Sequence, residues 1–239
     1  MIPAPRLVVL CGAYNEQDYL EETIPSILSQ SFRDYLLILT DNGSTDQTAG
    51  MLQDFAASDD RVVFNQFPTN LWGPVAMNRG MALALTLAPE THWFLAHGAD
   101  DVMLPGYLQR VMDTADANPS CNCIYSPWEY MGGVRPAKRF PSFNPETCHE
   151  QHQMPAWRAI TRELWEQVGP ENETIRIGAD WEWPVRARHL LKPIQLDRPY
   201  LSLRVRPPGR LSQSEEVNWR ELYRTLCRVA DKPIAGWAV

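Results

Sequence analysis

Short apolar runs alternate with helical patterns through the first 120 residues. Leu7–Ala13 is an apolar run bounded by turn residues, which predicts a strand buried on both faces of a sheet. Three similar runs follow, and residues with helical spacing separate each run from the next. Strands are predicted at 7–13, 35–40, 61–66 and 91–96, and helices at 15–28, 45–57, 73–87 and 105–117. This order predicts a parallel sheet flanked by helices, in which ligands bind outside the carboxyl ends of the strands.

The second half of the chain has a weaker pattern. Residues 132–155 contain four prolines and no clear period, which predicts a long functional loop. Strands are predicted at 121–128 and 200–205, and helices at 161–168, 179–191 and 215–229.

Composition and charge limit the classes of function. The chain has 239 residues, of which 44% are hydrophobic and 21% charged, as in folded proteins. The absence of a run of roughly 20 apolar residues or a recognisable secretory signal, together with five cysteines, predicts a cytoplasmic protein. The net charge of −7 argues against nucleic-acid binding. Residues 1–120 hold 15 acidic and 5 basic residues, which suits a cation site, although solvated surface explains this balance equally well.

Two polar loops follow predicted strands. Asp41 begins the first, and a carboxylate there can accept the imino N–H that uracil and guanine have and adenine lacks. Asp100 lies in the second, where it could hold Mg²⁺ or Mn²⁺ and leave positions open for phosphate oxygens. Each loop alone is explained as well by turn formation or helix capping. Together, at the strand ends of one sheet, they predict a nucleotide-diphosphate and metal site.

The order and spacing of these motifs resemble the family-2 glycosyltransferases. Residues 8–46 are similar to the opening of that family. The likeness continues through Asn70, Gly73, Asn78, Arg79, Gly80, Ala99, Asp100, Asp101, Leu104, Pro105, the segment 178–182, Arg204, Gly209 and Ser212. The resemblance implies a GT-A type α/β fold, with a Rossmann-like, mostly parallel central sheet flanked by helices and an irregular C-terminal acceptor-side region. It implies one domain over 1–239, with a nucleotide-sugar-binding half at 1–120 and an acceptor-binding and catalytic-base half at 121–239.

The resemblance also assigns roles to individual residues. Asp100 matches the second aspartate of the family's metal-binding Asp-x-Asp, and the first falls on Gly98. Asp180 matches the catalytic base, and the glutamate that precedes it in the family is replaced by Ala179. The nucleotide-binding positions are Ala13, Tyr14, Glu16, Asp41, Asn78 and Arg79.

These residue types suit sugar transfer with inversion, which needs a base and stabilisation of the departing diphosphate. Asp180 would take the proton, and a divalent metal, Mn²⁺ or Mg²⁺, at Asp100 would neutralise the leaving group. Arg204 and Arg206 would bind the phosphates, although a solvated strand end explains both nearly as well. Without the resemblance, Asp180 reads as a helix cap. Trp181 and Trp128 are the candidate acceptor contacts, although tryptophans more often belong to a core.

The resemblance implies that the chain is an inverting glycosyltransferase of polysaccharide biosynthesis. It would use a UDP- or GDP-linked donor and a hydroxyl of a glycan or glycolipid acceptor. A lipid-linked acceptor would bring the chain into peripheral contact with the inner membrane face. The alternatives are a sugar nucleotidyltransferase, which the acidic loop at 12–16 disfavours, and a non-catalytic nucleotide-sugar-binding protein, which Gly98 and Ala179 favour. A zinc site is a further alternative, although the cysteine and histidine spacing between 121 and 152 matches no standard finger.

Overall fold

A seven-stranded sheet forms the centre of the computed structural model, which describes residues 4–176, 178–205 and 219–231. Four parallel strands, in the order β3-β2-β1-β4, make up the larger part of this sheet. The elements of this part are β1 (Leu7–Ala13), α1 (Leu20–Leu28), β2 (Tyr35–Asn42), α2 (Thr48–Ser58), β3 (Val62–Phe67), α3 (Gly73–Leu87) and β4 (Trp93–Gly98). The α/β class predicted from the alternation is confirmed.

The second half of the chain completes the sheet and adds a smaller one. Its elements are β5 (Val102–Met103), α4 (Tyr107–Ala117), β6 (Cys123–Tyr125), β7 (Trp128–Tyr130), β8 (Arg158–Thr161), α5 (Arg162–Val168), α6 (Ala179–Ala187), β9 (Pro193–Gln195), β10 (Leu201–Leu203) and α7 (Trp219–Asp231). Strand β8 lies between β4 and β6 and is antiparallel to both, and β9 pairs parallel to β6. The small sheet has the order β5-β10-β7.

Helices cover both faces of the large sheet. Successive residues of β1 point to opposite faces, so Val9 joins the apolar cluster beneath α1 and α4, and Val8 joins the cluster beneath α3 and α6. Both valines are fully buried. Burial of one such side chain stabilises the fold by about 1.5–3 kcal/mol, which keeps β1 in the centre of the sheet. Within the described residues, no helix combines the length and the apolar character needed to span a membrane.

Several predicted elements differ from the observed ones. The strand predicted at 121–128 is two strands in different sheets, because the chain breaks at Ser126, whose hydroxyl accepts the N–H of Tyr200 at 2.8 Å. The helix predicted at 161–168 begins one residue later, and the residues before it form β8, which the pattern did not reveal. Helix α1 begins at Leu20 instead of Asn15, because the backbone of Asn15 adopts a positive φ of 54°. Residues 15–19 therefore form a loop at the carboxyl end of β1.

Gly178 sets the start of α6. It caps the helix with a φ of 87°, in the left-handed region that favours glycine. A β-carbon at this position would lie 2.4 Å from Cδ2 of Leu222 in α7. Close packing of α7 on this glycine thus fixes the helix end that carries Asp180.

Replacing Gly178 with alanine should destabilise the fold by about 1–3 kcal/mol, because the new side chain both strains the backbone and meets Leu222. The matched control is Gly50→Ala in α2, where a β-carbon meets no atom within 4 Å and alanine should stabilise the helix by about 0.5–1 kcal/mol. Urea unfolding of both variants measures the difference. Equal stability of Gly178→Ala and the parent would contradict this account.

Candidate active site

A cavity of about 520 Å³ opens at the carboxyl ends of β1 and β4. Helix α3 and the start of α6 form its sides, and a volume of this size is typical of ligand sites. Five of the predicted site residues line it: Ala13, Tyr14, Glu16, Asp100 and Asp180. Six other predicted residues, Asp41, Asn78, Arg79, Trp128, Trp181 and Arg204, lie outside the lining. Arg206 falls outside the described residues.

Asp41 lies near the carboxyl end of β2, beside this cavity. The side chain is fully buried, accepts the backbone N–H of Ser44 at 3.2 Å and accepts Nε2 of Gln66 at 3.2 Å. It therefore stabilises the turn after β2, as the turn-formation alternative predicts. This turn is tied to the loop after β1, since Asn15 Oδ1 accepts the N–H of Thr45 at 2.8 Å. The loop after β1 thus lines the cavity with Tyr14 and Glu16, and the turn after β2 supports that loop from outside the lining.

The surroundings of Asp100 explain the glycine at position 98. A β-carbon on Gly98 would lie 2.6 Å from Cζ2 of Trp157 and 2.9 Å from Oδ1 of Asp100. The indole of Trp157 thus fills the place of a side chain at residue 98, and its Nε1 donates to Oδ2 of Asp101 at 2.9 Å. The other oxygen of Asp101 accepts the backbone N–H of Arg204 at 3.0 Å. Asp101 therefore has a structural role, and Asp100 is the carboxylate of this loop that lines the cavity.

His97 lies directly beneath this loop. It is buried, and its Nε2 lies 3.1 Å from the carbonyl oxygen of Asp101. Burial lowers the pKa of His97 to about 4, so the ring is neutral at pH 7. In the part of the chain that the structure describes, no three His, Cys, Asp or Glu side chains are grouped as a metal site. At the metal position predicted from the sequence, Asp100 is therefore the carboxylate that faces the cavity.

Arg204 follows β10 and connects the loop of Asp100 to α1. Its Nε donates to the carbonyl of Asp100 at 3.3 Å, and its guanidinium lies 4.6 Å above the ring of Tyr19. The same guanidinium forms an ion pair with Glu22. A phosphate would have to compete with Glu22 for this group.

Asp180 lies in the first turn of α6, where the helix dipole favours an anion. Its carboxylate Oδ2 is 3.8 Å from Nε2 of His152, and its carbonyl accepts Nη1 of Arg158 at 3.2 Å. His152 packs between Phe140 and Trp181, and burial lowers its pKa below the usual value. The sequence indicated His152 only as part of the zinc alternative and did not indicate Arg158, because both contacts with Asp180 join segments more than 20 residues apart.

Both candidate acceptor tryptophans have structural contacts. Trp181 donates its Nε1 to the carbonyl of Cys148 at 2.7 Å and packs in the cluster beneath α7. Trp128 packs edge-on against Phe140, with the ring centres 4.9 Å apart. The tryptophans that line the cavity are Trp72, Trp157, Trp165 and Trp183.

The sequence model of one protein family, Glycosyl transferase family 2, matches residues 9–176 of this chain. The matched range includes Asp41 and Asp100 and ends four residues before Asp180. It covers more than two thirds of the chain.

Two curated relatives are similar over parts of their length. An uncharacterized glycosyltransferase of Haemophilus influenzae is 26% identical over 114 residues, which is 48% of this chain and 34% of the relative. A PGL/p-HBAD biosynthesis glycosyltransferase of Mycobacterium tuberculosis is 29% identical over 193 residues, which is 77% of this chain and 70% of the relative. The chain therefore spans about a third of the length of the first relative.

Solved structures share the fold. Staphylococcus aureus TarS 1–349 in complex with UDP-GlcNAc has a TM-score of 0.74 at 18% identity, over 94% of this chain and 65% of that one. The mannosyltransferase PcManGT from Pyrobaculum calidifontis, in complex with GDP-Man and Mn²⁺, has a TM-score of 0.64 at 17% identity, over 89% of this chain and 59% of that one. This likeness confirms the expected GT-A type of α/β fold.

The contact between residue 98 and Trp157 can be tested with a double-mutant cycle. Gly98→Ala alone should destabilise the fold by about 1–3 kcal/mol, because the added carbon overpacks against the indole. In a Trp157→Ala background the same change should cost much less, since the opposing ring is gone. Urea unfolding of the four proteins measures the coupling. Additive effects would mean that the indole does not occupy this space.

Proposed function

Because the chain belongs to glycosyl transferase family 2, we propose that it transfers a sugar from a nucleotide diphosphate sugar to a hydroxyl group, with inversion at the anomeric carbon. The observation that carries the proposal is that one cavity receives both Asp100, from the end of β4, and Asp180, from the start of α6. One carboxylate is available for the leaving diphosphate and the other for the attacking hydroxyl. The first half of the chain would bind the donor, and the second half would supply the base and the acceptor contacts.

Asp180 acts as the general base in this reaction. The acceptor oxygen attacks the anomeric carbon, the bond from that carbon to the diphosphate oxygen breaks, and the hydroxyl proton passes to the carboxylate. General base catalysis of this kind contributes about 10²–10⁴-fold to the rate. Arg158 positions the residue through its hydrogen bond to the Asp180 carbonyl, and the ring of His152, whose pKa is lowered by burial, borders the carboxylate.

Asp100 fits a divalent cation that arrives with the donor. Mg²⁺ is usually held by one or two carboxylates together with substrate phosphates, so one carboxylate is a sufficient protein contribution. Trp157 excludes a second carboxylate at position 98. When bound, Mn²⁺ or Mg²⁺ neutralises the charge that develops on the leaving diphosphate. The Mn²⁺ in the PcManGT complex supports this choice of ion.

The donor is proposed to be a UDP- or GDP-linked sugar. The structurally similar TarS and PcManGT are complexed with UDP-GlcNAc and GDP-Man. Ala13, Tyr14 and Glu16 line the cavity where β1 ends and would contact the nucleoside. The other proposed contacts are Asp41, Asn78 and Arg79 for the nucleotide, Arg204 and Arg206 for the diphosphate, and Trp181 and Trp128 for the acceptor.

The biological setting follows from the names of the relatives. The Mycobacterium tuberculosis relative is named for PGL/p-HBAD biosynthesis, and another, from Bacillus subtilis, for teichuronic acid biosynthesis. We therefore propose a role in assembling a polysaccharide or other glycoconjugate, in the cytoplasm or at the inner face of the membrane.

A non-catalytic nucleotide-sugar-binding protein is the second candidate. The observation that favours it is the indole of Trp157, which occupies the place of one expected acidic side chain. A binding protein would keep its affinity for nucleotide sugars without releasing nucleotide from them.

Replacing Asp180 with asparagine should lower nucleotide release from UDP-GlcNAc or GDP-Man, with Mn²⁺ present, by about 10²-fold or more. The thermal stabilisation by the same nucleotide sugar should persist, because the base does not hold the donor. Asp54→Asn, an exposed position in α2, is the matched control and should behave as the parent does. A parent that is stabilised by the donors but releases no nucleotide would favour the binding protein.

Replacing Asp100 with asparagine should remove the metal-dependent part of nucleotide binding. For the parent, UDP or GDP should raise the melting temperature more with Mn²⁺ than with EDTA. A ligand present at 100 times its Kd stabilises the folded protein by about 2.7 kcal/mol. In the variant the two conditions should give the same shift, whereas Asp113→Asn on α4 should keep the difference. A Mn²⁺ effect that survives Asp100→Asn would place the ion elsewhere.

A further inference from the structure

Side chains hold four consecutive carbonyl groups in the loop at 168–171, which connects α5 to α6. Arg186 donates to the carbonyls of residues 168 and 170 at 2.5 and 2.7 Å, and the indole of Trp183 donates to that of residue 169 at 2.8 Å. Asn78 of α3 completes the set, because its amide donates to the carbonyl of Glu171 at 2.9 Å and accepts its N–H at 2.8 Å. Helix α6 therefore holds the backbone of residues 168–170, and helix α3 holds that of Glu171.

The side chains that donate these hydrogen bonds are themselves held in fixed positions. Arg186 forms a buried ion pair with Glu182, with Nε to Oε1 at 3.0 Å. Trp183 is 1% exposed and stacks against Trp165. A buried ion pair contributes little to stability by itself, so its consequence here is the position of the loop.

The carboxyl group of Glu171, unlike the backbone of this loop, has no hydrogen-bond partner among the described residues. Glu171 lines the same cavity as Asp180, and none of the described residues forms a hydrogen bond with its carboxyl. The loop is thus built to present one carboxyl group to the cavity.

We propose that Glu171 is an acceptor-binding residue, which holds a hydroxyl of the acceptor sugar in the cavity while Asp180 accepts the proton. This inference rests on the proposed function. An acceptor of this kind carries at least two hydroxyl groups, one for each carboxyl, which favours a glycan over a simple alcohol.

Burial favours the protonated form of Glu171. Burial raises the pKa of Glu171 to about 7; the positive charges of Arg158 and Arg186 oppose this shift, and the carboxylates of Asp180 and Glu182 reinforce it. Helix α3 contributes the uncharged Asn78 to this environment. A protonated carboxyl can donate a hydrogen bond to an acceptor oxygen and does not repel Asp180.

The test compares Glu171→Ala and Glu171→Gln with the control Glu90→Gln, an exposed residue outside the cavity. Nucleotide release is measured from UDP-GlcNAc and GDP-Man with Mn²⁺, using a panel of methyl glycosides as acceptors. Glu171→Ala should raise the acceptor KM about tenfold and leave the donor KM within about twofold, as expected for one lost hydrogen bond. The control should match the parent.

The pH profile separates a role in binding from a purely structural one. For the parent, acceptor kcat/KM should fall as the pH rises through about 7, because Glu171 then loses the proton it donates. Glu171→Gln should lack this fall, since the amide remains a donor at every pH. An unchanged acceptor KM in Glu171→Ala, or equal increases in donor and acceptor KM, would overturn the inference.

A second measurement separates this inference from the proposed function. In protein labelled with ¹³C at the glutamate carboxyls and saturated with UDP and Mn²⁺, the Glu171 signal, assigned from its loss in Glu171→Gln, should shift when a methyl glycoside binds. A shift without sugar transfer would support Glu171 as a glycan-binding residue and overturn the proposed catalysis. Transfer without any effect of Glu171→Ala would overturn only the inference, and the absence of both would overturn both.

Discussion

The parallel pairing of β1 with β2 and β4 is the constraint on which the site depends. The register places Gly12 opposite Thr40 and Gly98, and Ala13 opposite Asp41. All three strands therefore end at one edge, and the loops that follow them meet there. Burial of β1 on both faces maintains this arrangement, because a shift in register would expose apolar side chains on either side.

A second constraint comes from the antiparallel strand β8 and the segment before it. Trp157 reaches the end of β4 from this segment, and Arg158 reaches the backbone of Asp180. The indole fills the space beside Gly98, where the family resemblance leads one to expect an aspartate side chain. It also donates a hydrogen bond to the carboxylate of Asp101. The proposed metal position therefore offers one carboxylate, that of Asp100, and in the proposed reaction the substrate phosphates would supply further ligands.

Strongly periodic elements were predictable from the sequence. Strand β1 and helix α3 have the predicted bounds, because a continuous apolar run and a proline in the first turn mark them clearly. Strand β8 was missed, since four residues without alternation carry little signal. The sequence predicts helix at 15–19, but these residues form a loop, because Asn15 has a positive φ and bonds Thr45 in a distant segment of the chain.

The sequence by itself determined the fold class and the strand-end positions of Asp41 and Asp100, because local periodicity and the parallel topology are enough to place them. Only the tertiary structure decided that Asp100 and Asp180 share a cavity, that an indole fills the space beside Gly98, and that Glu171 joins them. These contacts join segments far apart along the chain, and no local pattern records which side chains will meet when helices pack on a sheet.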